Sequence, residues 1–217
     1  MNIEDAFRFV ATTKPSLLYI TGKTCTGKTT FAHGLAERYG YRAVVLDEIV
    51  QQAVVIPLDL QTQEPDVFVS VYRNTDRPEW IDRFVAEVRQ QIAVYLEQQQ
   101  PVLIEGALAN TDTIQRIFAG YPSAQVLYFH PKVSGSRYIQ NLTERLTGSS
   151  ATDPNGLPKG FWEHITSADF TQFYKDGVIT DSLQKSIAAY AAESVDASNK
   201  RLATFRQHLA NIQVVEI

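Results

Sequence analysis

A chain of 217 residues, 44% hydrophobic and 20% charged, is long enough to bury one substantial core and has the composition of a single globular domain. Its net charge of −4 and pI near 5.6 give no broad basic footprint, which disfavours a protein that lives on duplex nucleic acid through phosphate contacts. No apolar stretch approaches the roughly 18 residues that cross a bilayer, and the polar start Met1-Asn2-Ile3-Glu4-Asp5 lacks the basic region of a secretory signal, so the expectation is a cytoplasmic protein with no membrane partner.

The spacing of Ile3, Ala6, Phe7 and Val10 predicts a first helix that Lys14-Pro15 ends. Leu17 to Thr21 is a continuously apolar run of the kind a buried parallel strand shows. Gly22-Lys23-Thr24-Cys25-Thr26-Gly27-Lys28-Thr29 then matches the phosphate loop G-x-x-x-x-G-K-[ST], with Thr30 next in line, and Phe31, Leu35 and Ala36 follow at helical spacing. A strand before and a helix after are the context that such a loop requires. Its glycines let successive N–H groups face one centre, to which the helix adds its positive end. Lys28 then reaches the β- and γ-phosphates, and the Thr29 hydroxyl ligates the Mg²⁺ between them. Cys25, the single cysteine, admits no internal disulfide; helix-end electrostatics would lower its pKa and make it oxidisable, and otherwise it is a small residue filling the loop.

Gly40 stops the helix, and Ala43 to Leu46 is a second strand ending in Asp47-Glu48. Residues 51–72, with Pro57 and Pro65, read as part helix and part loop. Asp76 and Glu79 form a capping box for a helix whose buried face runs through Ile81, Phe84, Val85, Val88, Ile92, Tyr95 and Leu96. Pro101 to Gly106 is a third strand finishing in a carboxylate, Glu105, and Asp112 with Gln115 caps the short helix after it. Gln125 to Phe129 is a fourth strand, and Arg137 to Leu146 a helix with a basic flank. Residues 147–177 collect Gly, Pro and Ser and then Phe161, Trp162, Phe170, Phe173 and Tyr174, which predicts a mobile lid anchored by aromatics, within an insert at about 132–180. A long helix from Asp181 to Leu209 and a fifth strand, Ile212 to Ile217, close the chain.

Strands alternating with helices predict an α/β fold of three layers, a five-stranded parallel sheet with helices on both faces, with ligands beyond the strands' carboxyl ends. There the phosphate loop, Asp47-Glu48 and Glu105 converge. Asp47 suits the base that takes an acceptor's proton, and Glu105 suits a Mg²⁺ ligand, directly or through water. Tyr72, Arg73, Arg77 and Trp80 offer an acceptor pocket of an aromatic platform and cations, with Trp80 as a packing staple the plainer reading.

On the residues Gly22 to Thr29, the Asp at the end of strand two and Val102-Leu103-Ile104-Glu105-Gly106, the chain resembles the P-loop kinase superfamily, particularly uridine kinase and the nucleoside and nucleoside-monophosphate kinases. The resemblance implies a P-loop NTPase fold with a lid, ATP and Mg²⁺ as cofactors, Asp47 as base, Glu105 at the metal, and Arg137 and Arg145 as the cations that neutralise the transferred phosphate. Relatives place adenine contacts after the last strand, and since this sequence stops at Ile217 the expectation is that such contacts come from elsewhere or are sparse, with donor base choice open. The expectation is an ATP-dependent phosphotransferase acting on a small nucleoside, nucleotide or related metabolite. A polynucleotide 5′-hydroxyl kinase and a non-catalytic nucleotide sensor are the alternatives, and oligomeric state is open. A GTPase is excluded because Asn199-Lys200-Arg201-Leu202 lacks the acid of the guanine-reading motif.

Overall fold

Five apolar runs become the strands β1 (Leu17–Gly22), β2 (Arg42–Val45), β3 (Val102–Glu105), β4 (Gln125–His130) and β5 (Ile212–Glu216), which pair in parallel in the order β2-β3-β1-β4-β5. The computed structural model describes residues 1–58, 67, 70–72, 77–132, 137–148 and 178–217. Arg73, Asp76 and the aromatic insert from 149 to 177 lie outside them. Seven helices accompany the strands among the described residues: α1 (Ile3–Thr13), α2 (Lys28–Tyr39), α3 (Leu46–Val50, continued by a π-helical turn over Gln51–Val55), α4 (Pro78–Glu97), α5 (Thr111–Phe118), α6 (Arg137–Gly148) and α7 (Asp181–His208). None is long and apolar enough to cross a membrane.

Because strand side chains alternate, the sheet feeds two cores. Leu17, Tyr19, Val102, Ile104, Val126 and Tyr128 point to one face, where α3, α4 and α5 pack with Ile49, Phe84, Val88 and Ile114. Leu18, Ile20, Leu103, Leu127 and Phe129 point to the other, with Ala6 and Val10 of α1, Phe31 and Leu35 of α2, and Tyr138 and Leu142 of α6. Helix α7 serves both: Leu183 and Ile187 join the second core, Leu202 and Phe205 the first. It passes the carboxyl end of β4 on the way, where Tyr128 Oη donates to the Ser198 carbonyl (3.1 Å) and His130 Nδ1 meets Ser198 Oγ (2.9 Å).

Two helix starts bear on the expected caps. α4 begins at Pro78 with Arg77 at its N-cap and no side-chain cap, a start that proline's fixed φ suits, while Asp76 of the expected Asp76–Glu79 box lies outside the described residues. At α5 the cap is Asn110, whose side chain accepts from the backbone of Asp112 and Thr113, in place of the Asp112–Gln115 box. β2 also runs directly into α3, so Asp47 and Glu48 occupy a helical first turn where a free strand end was expected.

Candidate active site

The loop after β1 is shaped by three left-handed residues or close approaches. Gly22 lies so near β4 that a Cβ there would stand 2.1 Å from the Phe129 carbonyl oxygen, at a φ of +131°. Gly27 (φ +81°) forms the N-cap of α2, and Cys25 takes φ +64°, a conformation a side chain rarely adopts. No side chain caps the start of α2 and no acid sits in its first turn, so the orphan amides of that turn are left facing the loop centre. Thr26 Oγ1 donates to the Lys23 carbonyl (2.7 Å), and Lys28 Nζ donates to the same oxygen (2.6 Å). The loop is therefore held in shape by its own ammonium group. Lys23 turns its ammonium toward the Tyr190 ring of α7, 6.0 Å from the centroid.

Lys28 is buried, and burial pulls its pKa down to about 8 although Glu105 and Asp47 oppose the shift. Glu105, also buried, is pushed above its usual range by burial, with Lys28 opposing and Asp47 adding to the rise. Desolvation outweighs attraction for both members of the pair. The Thr29 side chain offsets part of that rise and lines the same cleft as Glu105, so the two residues expected to hold Mg²⁺ stand together as hard oxygen donors. That donor set fits the ion.

Register fixes this meeting. Glu105 pairs with Ile20 of β1 and with Val45 of β2, so the residues leading to the loop, to Asp47 and to the metal-side acid lie in one row. Gly106 then allows α3 to close on the sheet: a Cβ at that position would come within 2.7 Å of Leu46 Cβ. Asp47 follows Leu46 and is delivered to the same cleft.

That cleft, about 1190 Å³, is lined by Thr24, Cys25, Gly27, Lys28, Thr29 and Thr30 of the loop, by Asp47, Glu105 and Gly106, and by Arg137 and Arg145 of α6. Gly22, Lys23 and Thr26 shape the loop from behind. Glu48 does not reach it: neighbours on a helix diverge by about 100°, and Glu48 lines a separate hollow with Gln52, Gln91 and Tyr95. Arg77 and Trp80 are not on the cleft either; the Arg77 guanidinium sits 5.2 Å from the Trp80 ring centroid, and Trp80 packs at the core margin. Tyr72 packs beside Phe84 and presents its hydroxyl to an Asp47 carboxylate oxygen, so it orders the acid where an open aromatic platform was expected. Its pKa is raised by burial and by the Asp47 charge, which keeps the hydroxyl a donor.

For Cys25 the structure corrects the low-pKa expectation. Burial raises the thiol, and the nearby Arg145, whose Nη1 is 3.9 Å from Sγ, only partly offsets this. The desolvated site favours the neutral thiol over a redox-active thiolate.

Three residues of the site carried no clear signal in the sequence. His33 lines the cleft and faces Glu105 electrostatically; its position four residues after Thr29, on the same helical face, was the available clue. Asn141 Nδ2 donates to the Cys25 carbonyl (2.9 Å), tying α6 to the loop. Arg201, which reads as mid-helix, lies where α7 crosses the sheet edge, and its charge acts on Lys28, Tyr19 and Tyr128.

A family model described as an AAA domain matches residues 17–155. No curated protein matches the sequence. Among solved structures, a gluconokinase from Sinorhizobium meliloti is 15% identical over 85% of this chain and 98% of its own, with a TM-score of 0.40. A sugar kinase from Janibacter sp., solved unliganded, is 12% identical over 85% and 96%, with a TM-score of 0.42. A shikimate kinase from Bacteroides thetaiotaomicron is 9% identical over 91% and 84%, with a TM-score of 0.44.

Proposed function

Because the chain belongs to the AAA domain family and has the phosphate loop and parallel sheet of the P-loop kinase superfamily, we propose that it is an ATP-dependent phosphotransferase acting on a small-molecule acceptor. The observation that carries this is the gathering of Lys28, Thr29, Asp47 and Glu105 in one cleft at the carboxyl ends of the strands. A nucleotide sensor needs the loop but has no use for a second acid held opposite it.

In this reading the loop amides and Lys28 cradle the β- and γ-phosphates, and Thr29 and Glu105 hold Mg²⁺, which would neutralise charge between those phosphates. Asp47 takes the acceptor's proton while the acceptor oxygen bonds to the γ-phosphorus and the bond to the β–γ bridging oxygen breaks, releasing ADP. Arg137 and Arg145 face the same space and neutralise the moving phosphoryl group. Dependence on ATP makes the cytoplasm the fitting location. The cleft mixes Lys28, Arg38, Arg137 and Arg145 with Glu4, Glu37, Asp47, Glu105 and Glu144, so the described residues offer no basic track for a polynucleotide.

A panel of nucleosides, nucleotides, sugars and other hydroxylated metabolites, with an oligonucleotide included, incubated with Mg-ATP tests the reading. Acceptor-dependent ADP release with a small metabolite supports it. Activity confined to the oligonucleotide selects polynucleotide kinase, and ATP binding with no turnover on any acceptor selects the sensor.

A further inference from the structure

We propose that the groove between α1, α2 and α6 seats the nucleoside part of the nucleotide, with a purine base against Ile3 and Phe7 of the first helix; this rests on the phosphate-loop reading above. The γ-phosphate must face the acids Asp47 and Glu105, so the nucleoside must occupy the part of the cleft that other residues line. The cleft has such a part. It is lined there by Thr30, Gly34 and Arg38 of α2, by Ile3, Glu4 and Phe7 of α1, and by Asn141, Glu144 and Arg145 of α6.

The wall offered by α1 is built rather than incidental. Ile3, Phe7 and Cys25 are half-buried apolar groups at the margin of the second core. The Phe7 ring is fixed from two directions, by Phe31 at 4.3 Å between centroids and by the Arg38 guanidinium 4.8 Å from its own. Gly34 admits it: a Cβ there would come within 3.1 Å of the Phe7 ring. The start of α1 is pinned to the carboxyl end of β5, where the Met1 nitrogen donates to the Val214 carbonyl (2.9 Å) and the Glu216 N–H donates to the Met1 carbonyl (2.9 Å). Asn2 and Asp5 already cap the helix reciprocally, so α1 presents side chains to the groove and not spare amides.

A flat heterocycle fits such a surface because its faces shed water against apolar walls while its edge keeps polar partners. Exposed Glu4, on the groove, is placed to accept from the exocyclic amino group of a purine. The α6 side of the groove is tied to the phosphate loop by Asn141, which donates to the Cys25 carbonyl.

Calorimetric titration of the whole protein with Mg-ATP and with Mg-tripolyphosphate, which has the phosphates and no base, tests this. Ile3→Asp is the main variant, since an acid in the first turn of a helix favours folding. The expected result is an ATP dissociation constant raised by about tenfold or more with that for tripolyphosphate changed less than about twofold. Glu4→Gln should weaken ATP and spare tripolyphosphate in the same sense. Photolabelling with 8-azido-ATP should recover the peptide containing Ile3 to Phe7. Unchanged ATP affinity in Ile3→Asp, equal losses for both probes, or a label recovered only elsewhere would overturn the base site. Failure of the unmodified protein to bind either probe would overturn the nucleotide reading itself.

Discussion

The Tyr72 hydroxyl donates to a carboxylate oxygen of Asp47, and the Tyr72 carbonyl in turn accepts the backbone N–H groups of Ala109 and Asn110 from the segment after β3. One residue therefore links the proposed base to the strand that carries Glu105. It leaves the other Asp47 oxygen for an acceptor hydroxyl. Asp47→Asn is expected to lower kcat by about 10²- to 10⁴-fold with ATP affinity retained. Tyr72→Phe, which keeps the ring, is expected to lower kcat roughly tenfold and leave the KM for ATP unchanged. In an Asp47→Asn background the same substitution should have almost no further effect, as a double-mutant cycle on kcat would read; an undiminished effect there would mean that Tyr72 acts only through packing.

The Lys28 ammonium gives a pH signature whose sign can be worked out. Its pKa falls from 10.5 to about 8 on folding, so between those values the unfolded chain binds more protons than the folded one. Stability from this group then rises as pH rises through that window, by an amount on the order of 3 kcal/mol at most. Denaturant titrations at pH 7.5 to 10 should show the unmodified protein gaining stability relative to Lys28→Met across the range. Triphosphate binding restores a counter-charge, so it should take up protons above pH 8 and weaken as pH climbs. Calorimetry in buffers of different ionisation enthalpy reads that uptake directly.

Gly106 is expected to tolerate no larger residue. Its missing side chain is the space in which Leu46 packs, and Gly106→Ala would force that contact apart or push α3 away from the sheet. Overpacking of this kind costs about 1 to 3 kcal/mol. The midpoint of chemical denaturation should fall accordingly. Because Asp47 adjoins Leu46, kcat should fall as well even in the fraction that remains folded, while affinity for tripolyphosphate stays near that of the unmodified protein.

The sheet was legible from residues because its central strands are buried on both faces and so read as unbroken apolar runs, as in Leu17 to Thr21 and Val102 to Ile104, while the more exposed edge strands β2 and β5 still carry short apolar stretches. The loop was legible because its glycines and lysine do a local job that few other sequences can. Helix starts were less so: Asp112–Gln115 has the right letters, but a cap depends on where the chain enters, and Asn110 sets that point. Glu48 was grouped with Asp47 by adjacency, and only the turn of α3 separates them. Cys25 was left between two readings because charge neighbours can be guessed from a motif whereas burial involves α6, which is over a hundred residues away, and the structure favours the loop-filling one. The role of α1 was invisible for the same reason: no local pattern tells that Ile3 and Phe7 border the cleft.

The pairing of Glu105 with both Ile20 and Val45 makes the site unusually intolerant of one kind of genetic change. Point substitutions on β2 leave the comb of backbone bonds in place and with it the delivery of Asp47. Removing or adding a single amino acid between Arg42 and Val45 would send α3 off half a pleat out of step, swinging the acid toward the opposite core while the loop and Glu105 stayed where they are. A lineage can thus drift far in the identity of these residues, as long as it keeps their number.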